Sequence, residues 1–296
     1  MHDVSVIVPT YNRPDKLRRC LVALSCQEGG PYQVIVIDDG GTETLDFVEA
    51  EFGPWARLVR RQNGGPAAAR NSGVAAATTE LLCFTDDDCA PRPDWVQRMA
   101  SRQGGLLKRM VGGRVDNALS DDVCAEASQS LCSYLYEYFQ SGANSMAFFT
   151  TNSICCRRED FLALGGFDES FPRAASEDRD FGLRWRDAGG ELIYDDLAVV
   201  DHYHNLSLQG FWRQHANYGR GARQLHLALD RRGDPRPKTE KPGFYIGLLL
   251  HPLRRGGRRP VAQMILMGLS QVAMVAGYTE ARREERRSSG SQPSHS

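Results

Sequence analysis

The stretch that decides the fold is Val4-Ser5-Val6-Ile7-Val8, closed by Pro9-Thr10-Tyr11-Asn12-Arg13. A β-branched run with almost no polar member reads as a strand buried on both faces of a sheet. Outward from it, residues 15–26 place apolar side chains at 17, 21 and 24 with basic ones between, which predicts an amphipathic helix. Val34-Ile35-Val36-Ile37 is a second apolar strand, cut by Asp38-Asp39-Gly40-Gly41. The pattern then predicts a helix over 42–52, a strand over 56–60 and an alanine-rich helix over 66–77 with Pro66 in its first turn. A strand over 81–85 ends at Asp86-Asp87-Asp88. Strands alternating with helices give an α/β fold, a mostly parallel central sheet flanked by helices. Ligands of such sheets bind beyond the carboxyl ends of the strands. Three polar clusters, at 9–13, 38–39 and 86–88, fall at three of those ends.

Beyond residue 105 the spacing predicts a strand over 110–115, a long helix over 122–139 and a helix over 177–188 closed by Gly189-Gly190. Short strands are expected over 191–194 and 197–200, then a basic helix over 207–232 and a linker over 233–242 with three prolines. Residues 244–253 and 261–278 are apolar and separated by Arg254, Arg255, Arg258 and Arg259. The second run has the length of a short spanning helix, but Gln263, Ser270 and Gln271 argue against spanning. The arginines favour a peripheral contact with an anionic membrane surface, with internal packing or a homodimer as the alternatives. From residue 282 the chain is charged and then Ser/Gly-rich, which predicts a disordered tail. The expected organisation is a catalytic domain over 1–205, split into a nucleotide half (1–105) and an acceptor half (106–205). A helical C-terminal extension over 206–281 and the tail over 282–296 follow.

With 296 residues, 41% hydrophobic and 25% charged, the chain has material for one large embellished domain or two small ones, and bulk disorder is excluded. A net charge of -1 excludes wholesale nucleic-acid binding. Residues 210–260 nevertheless carry 12 Lys/Arg against 3 Asp/Glu, while residues 1–209 carry 20 against 31, so the two parts face different partners. The eight cysteines form no CxxC pair and no zinc spacing, and are expected to be reduced. The N-terminus enters a strand directly, without a secretory pattern, so the expected setting is cytoplasmic, peripheral at the inner face of the membrane.

No G-x-G-x-x-G follows the first strand and no Walker lysine loop occurs, so phosphates would need another neutralising group. Asp86-Asp87-Asp88 supplies a means. Three adjacent carboxylates repel one another, and hard divalent ions such as Mg²⁺ or Mn²⁺ take carboxylate oxygens while leaving positions for phosphates. A solvated acidic turn is the other reading of this run.

Six pieces stand in order over some two hundred residues. They are 4–13, Val36-Ile37-Asp38-Asp39-Gly40, Asn63-Gly64-Gly65-Pro66 with Ala69-Arg70-Asn71-Ser72-Gly73, Phe84-Thr85-Asp86-Asp87-Asp88, Gly165-Gly166-Phe167-Asp168-Glu169, and Glu177-Asp178-Arg179-Asp180 with Arg184. In these pieces the chain, from residue 3 to about residue 205, resembles the family 2 glycosyltransferases of the GT-A fold.

The resemblance implies an inverting transfer of a sugar from a nucleotide-diphosphate donor, UDP- or dTDP-sugar favoured, to a saccharide, lipid-linked or other hydroxyl acceptor, in cell-surface polysaccharide or glycolipid synthesis. It implies that Pro9, Thr10 and Tyr11 line the base, that Arg13 lies on the nucleotide, and that Asp39 meets the base edge. Asp38 is either a further contact or a strand-end turn residue. Arg70 approaches the base or the phosphates, or is a solvated helix arginine. By the DXD pattern Asp86 and Asp87 lie toward the ribose and Asp88 on the metal, with His202 or His204 completing the metal shell. The register within the three aspartates is open by one position. Asp178 is implied as the general base, supported by Glu177, where helix N-terminal acids are the structural alternative. A sugar nucleotidyltransferase and a non-catalytic sugar-nucleotide-binding protein are the competing functions; a position of Asp178 far from residues 86–88 would favour the second.

Overall fold

The computed structural model describes residues 3–29, 32–139, 148–171, 175–256 and 258–290. Strands β1 (Val4–Thr10), β2 (Tyr32–Asp38), β3 (Ala56–Arg60) and β4 (Leu81–Phe84) alternate with helices α1 (Pro14–Ser25), α2 (Phe47–Phe52) and α3 (Pro66–Ala76). Then come β5 (Cys89–Pro91), α4 (Trp95–Gln103), β6 (Arg109–Asn117), α5 (Val123–Phe139), β7 (Ile154–Arg157), α6 (Arg158–Ala163), α7 (Glu177–Asp187) and β8 (Glu191–His202). Three helices follow: α8 (Leu208–Arg232), α9 (Pro242–Arg255) and α10 (Pro260–Gly290).

The strands form one eight-stranded sheet in the order β3-β2-β1-β4-β7-β6-β8-β5. Strands β1 to β4 pair in parallel, as does β6 with β8. β7 runs antiparallel to both β4 and β6, and β5 antiparallel to β8, so the sheet is mixed beyond β4. The period-two side-chain alternation of the opening run sorts the core. Val6, Val8, Val34, Val36 and Cys83 join Leu17, Leu21 and Trp95 on one face. Ile7, Ile35, Ile37, Leu82 and Phe84 join Val74, Phe161 and Trp185 on the other. Burial on both faces is why these strands carry no polar stripe.

Departures from the sequence reading have local causes. The helix expected over 42–52 begins only at Phe47, because Asn12 Oδ1 accepts the backbone N–H of Thr42 at 2.7 Å and holds that segment as a turn. Residues 191–194 and 197–200 are one strand, β8, whose register against β6 shifts after Gly113. The tail expected to be disordered from residue 282 is helical as far as Gly290. Glu280, Glu284 and Glu285 alternate there with arginines at helical spacing, and Arg223 Nη2 donates to Glu285 Oε2 at 2.6 Å. Residues 291–296 of the expected tail lie outside the described residues. All eight cysteines are free thiols.

The chain divides into two compact units, the first Met1–Leu119, Tyr136–Pro172 and Glu177–His204, the second Ser120–Leu135, Arg173–Ser176 and Asn205–Ser296. A single cut after residue 205 would leave the two short inserts of the second unit in the first. Within the second unit α8 and α10 meet backbone to backbone. A Cβ on Gly219 would stand 1.9 Å from Met274 O, and one on Gly277 1.9 Å from Ala216 O.

Gly73 performs the same service in the first unit. It seats α3 on β1 and β2, since a Cβ there would lie 2.4 Å from Ile7 Cγ2 and 3.3 Å from Ile37 Cγ1. Gly73→Ala gains about 1 kcal/mol of helix propensity but must displace a β-branched side chain in a filled core, which typically costs about 1–3 kcal/mol. The expected outcome is a lower urea midpoint with unchanged slope; an equal or higher midpoint would show that the contact relaxes freely.

Candidate active site

The register of β1 on β2 sets Thr10 beside Asp38, and β4 lies on the other side of β1. The three polar clusters therefore share one edge of the sheet. Around Asp87 the hydroxyl of Thr10 donates to Oδ2 at 2.7 Å and Arg13 Nη1 to Oδ1 at 3.2 Å. Burial raises the Asp87 carboxyl to about 6, and the Arg13 charge offsets only part of that rise.

Asp88 gathers partners from three elements. Lys16 Nζ donates to Oδ2 at 3.2 Å, Arg13 Nη1 reaches the same oxygen at 3.5 Å, and His202 Nε2 lies 3.2 Å from Oδ1. His204 Nδ1 stands 3.9 Å from Oδ2. The pairing of Cys89 with His202 across β5 and β8 makes this meeting possible, and Tyr203 N–H donates to Asp88 O at 2.8 Å. Burial pushes the Asp88 carboxyl up, but the hydrogen bond and charge of His202 and the charge of Lys16 outweigh it and hold the group below the ordinary aspartate range. Burial, reinforced by the charge of His202, lowers His204 to about 4, so its imidazole is neutral at pH 7.

Arg70, on α3, connects the aspartate run to α7. Its Nη2 donates to Asp86 Oδ1 at 2.7 Å and its Nη1 to Glu177 Oε1 at 3.2 Å, and its side chain is only 4% exposed. It is a buried ion-pair hub, not a solvated helix arginine. Glu177 and Asp178 open α7 behind Ser176, whose φ is 73°. Burial, with the neighbouring charge of Asp178, raises Glu177 to about 7 against the pull of Arg70. Burial likewise raises Asp178, whose Oδ1 accepts the N–H of Arg179 at 2.8 Å.

The remaining sequence candidates are placed less directly on this network. Asp38 is a turn residue, its Oδ1 accepting from Gly41 N–H at 2.8 Å. The Asp39 carboxylate accepts from Arg61 and from the N–H groups of Gly64 (3.1 Å) and Gly65 (2.8 Å), which takes up most of its capacity. Pro9 is partly buried in β1, while Tyr11 is half exposed beyond its end. Sequence reasoning did not single out Lys16 or Arg61. Lys16 follows Arg13 at a helical i,i+3 spacing that places both on one side of the α1 start, and Arg61 follows β3 at the same strand-end edge.

Side chains around Asp88 form a candidate donor set for a divalent ion. Ligand atoms of Asp88, Cys89 and His202 lie within 4.8 Å of one another. Burial holds the Cys89 thiol protonated, well above its ordinary range, which leaves Asp88 and the imidazoles. One carboxylate with imidazole nitrogen is an oxygen/nitrogen set suited to a first-row divalent ion such as Mn²⁺. The residues present fit the group.

The described chain was compared with known proteins. It is 31% identical over 231 residues to the pre-mycofactocin glycosyltransferase of Mycobacterium tuberculosis, covering 75% of this chain and 47% of that one. It is 32% identical over 119 residues to glycosyltransferase AglE of Haloferax volcanii, covering 38% of this chain and 39% of that one. The chain thus spans less than half the length of these relatives. Among solved structures it is similar to the mannosyltransferase PcManGT of Pyrobaculum calidifontis in complex with GDP-Man and Mn²⁺, with a TM-score of 0.63 and 17% identity over 95% of this chain and 87% of that one. It is also similar to GalNAc-T7 with UDP, GalNAc and Mn²⁺, with a TM-score of 0.55 and 13% identity over 73% of this chain and 48% of that one. The family model for glycosyl transferase family 2 matches residues 5–160, more than half of the sequence. With the mixed sheet, the aspartates at its edge and this match, the chain belongs to glycosyl transferase family 2 and has a GT-A-like fold.

Proposed function

We propose that this chain is an inverting glycosyltransferase that moves a sugar from a nucleoside-diphosphate donor, UDP- or dTDP-linked, to the hydroxyl of a saccharide or lipid-linked acceptor. The observation that carries the reading is the Arg70 bridge. It ties Asp86 to Glu177, and so brings Asp178 to the same site as the aspartate run. A non-catalytic binding protein has no need of that proximity.

In the proposed reaction Asp178 takes the proton of the acceptor hydroxyl as its oxygen bonds to the anomeric carbon. The bond from that carbon to the diphosphate oxygen breaks, and the nucleoside diphosphate leaves with the electron pair. One displacement needs one base and inverts the centre; no nucleophilic carboxylate takes part. Tyr11, half exposed, offers a ring for the base, and Arg13 offers charge to the nucleotide. A divalent ion held by Asp88 with His202 or His204 would supply electrostatic stabilisation of the leaving diphosphate.

We further place the second unit at a membrane surface. Over Pro260–Arg287, α10 is long and apolar enough to cross a bilayer, with mean hydropathy 1.4 over its most apolar window and a third of that window buried. One face of α10 is committed to protein: Gln263 and Ser270 are buried, with Ser130 Oγ donating to Gln263 Oε1 at 3.1 Å. The other face exposes Val261, Ile265, Val272 and Val275. Arg254, Arg255, Arg258 and Arg259 are exposed beside its start. An apolar stripe with adjoining arginines fits the interface of an anionic bilayer and supports lying on it in preference to spanning it.

Asp178→Asn is expected to cut turnover by about 10²–10⁴-fold while leaving donor affinity nearly unchanged. Asn caps a helix as well as Asp does, so near-normal turnover would reduce Asp178 to a cap. Because burial raises Asp178, and a base must be deprotonated, the acid limb of the wild-type rate profile should lie above the ordinary aspartate range. UDP binding, followed by calorimetry, should be lost in EDTA and in Asp88→Ala; undiminished affinity in EDTA would remove the metal from the reading. The full chain should sediment with anionic vesicles and release at high salt, and equal recovery with neutral vesicles would count against the membrane contact.

A further inference from the structure

Asp88 Oδ2 is claimed by several groups at once. Lys16 Nζ lies 3.2 Å from it, Arg13 Nη1 3.5 Å and His204 Nδ1 3.9 Å. This is the carboxylate assigned above to a divalent cation, and a lysine ammonium already stands on it. Resting on that reading of the site, we propose that Lys16 is a displaceable counter-ion. It neutralises Asp88 in the metal-free protein and transfers to the donor diphosphate when a divalent cation takes Asp88, so that nucleotide and metal bind as a coupled pair.

The argument starts from burial. The Asp88 side chain is 5% exposed, and a charge so enclosed must be compensated in every state of the protein. A divalent ion arriving at Oδ2 meets the ammonium already there, and two cations on one oxygen repel. One of them leaves. Arg13 has a second anchor on Asp87 and can stay on it. Lys16 has no such anchor: among the described residues Asp88 is the one carboxylate within ion-pair distance of it. Its side chain is one-third exposed, on a flexible four-carbon stem in the first turn of α1. A lysine ammonium is a compact, mobile point charge, suited to changing partners as an arginine fork is not.

The displaced ammonium finds no free carboxylate in the aspartate run. Asp87 is held by Thr10 and Arg13, and Asp86 by Arg70. The anion that can receive it is the one arriving with the ligand, a diphosphate. Metal alone therefore strands the lysine charge, and diphosphate alone draws the lysine from Asp88, leaving that carboxylate only Arg13 and the histidines. Together the two ligands resolve both.

The test is the Mn²⁺ affinity of the full chain, with and without saturating UDP, for the wild type, Lys16→Met and Lys16→Arg. The ratio of the two affinities is the coupling factor, which must equal the effect of Mn²⁺ on UDP binding. Wild type should bind Mn²⁺ weakly alone and much more tightly with UDP. Lys16→Met should bind Mn²⁺ about tenfold more tightly without UDP, and its coupling factor should fall by about tenfold or more. A gain in affinity cannot come from a misfolded variant. Lys16→Arg, which keeps a cation, should retain most of the coupling. A Lys16→Met protein that gains Mn²⁺ affinity equally with and without UDP has unchanged coupling; Lys16 is then an ordinary ion pair and the proposal falls. A loss of donor-free Mn²⁺ affinity overturns it equally. A wild type that binds UDP with no help from Mn²⁺ overturns the coupling, and one that binds neither ligand overturns the nucleotide-site reading itself.

Discussion

Three consecutive aspartates, two of them buried, stand at the end of a central strand, and the first unit is arranged around neutralising them. Their counter-charges come from α3, the start of α1 and β8. Asp86 takes Arg70 from α3, Asp87 takes Thr10 and Arg13 from the end of β1 and the start of α1, and Asp88 takes Lys16 from α1 and His202 from β8. Like charges this close cannot all remain ionised in a poorly solvated site without such partners. The raised carboxyl of Asp87 and the lowered one of Asp88 show two outcomes of the same contest between burial and pairing. In the proposed function, the side chains that settle this contest are also the ones that meet the nucleotide.

The two kinds of cation do different work. Arg70 is enclosed, with its fork divided between Asp86 and Glu177, so removing it would leave two acids without a buried partner. Arg13 and Lys16 stand partly in solvent and can exchange partners at smaller cost. Under the proposed function, a rigid link beside the base and movable charges beside the diphosphate suit a site that must hold its base still while a charged leaving group arrives and departs.

The sequence made β1, β2 and β4 legible because their both-face burial leaves an apolar run that nothing else explains. β7, Ile154-Cys155-Cys156-Arg157, was not legible, since four residues with two cysteines carry neither length nor alternation. β5 was hidden by Pro91, which fits because β5 is the edge strand. That strand is what sets Asp88 beside His202, so the histidines could be suggested only by family pattern. Asp86, Asp87, Asp88, Glu177 and Asp178 were visible as acids in order, but the Arg70 bridge spans 107 positions to Glu177, and local spacing carries no record of it. Lys16 looked like one more basic residue on an amphipathic helix.

In the proposed reaction, the hydrogen bonds at the start of α7 support Asp178 as base and Glu177 as its support. Glu177 spends an oxygen on the Arg70 guanidinium, so that oxygen is not open to an acceptor hydroxyl, although burial still raises the carboxyl to about 7. Asp178 is held through Oδ1 by a backbone N–H, and among the described residues no side chain hydrogen-bonds its Oδ2. Asp178 is also partly accessible where Glu177 is enclosed. A general base needs a lone pair that a substrate hydroxyl can reach and an environment that makes the carboxylate basic. In the proposed reaction Asp178 meets both needs: an Oδ2 that no described side chain hydrogen-bonds, and burial that raises its carboxyl.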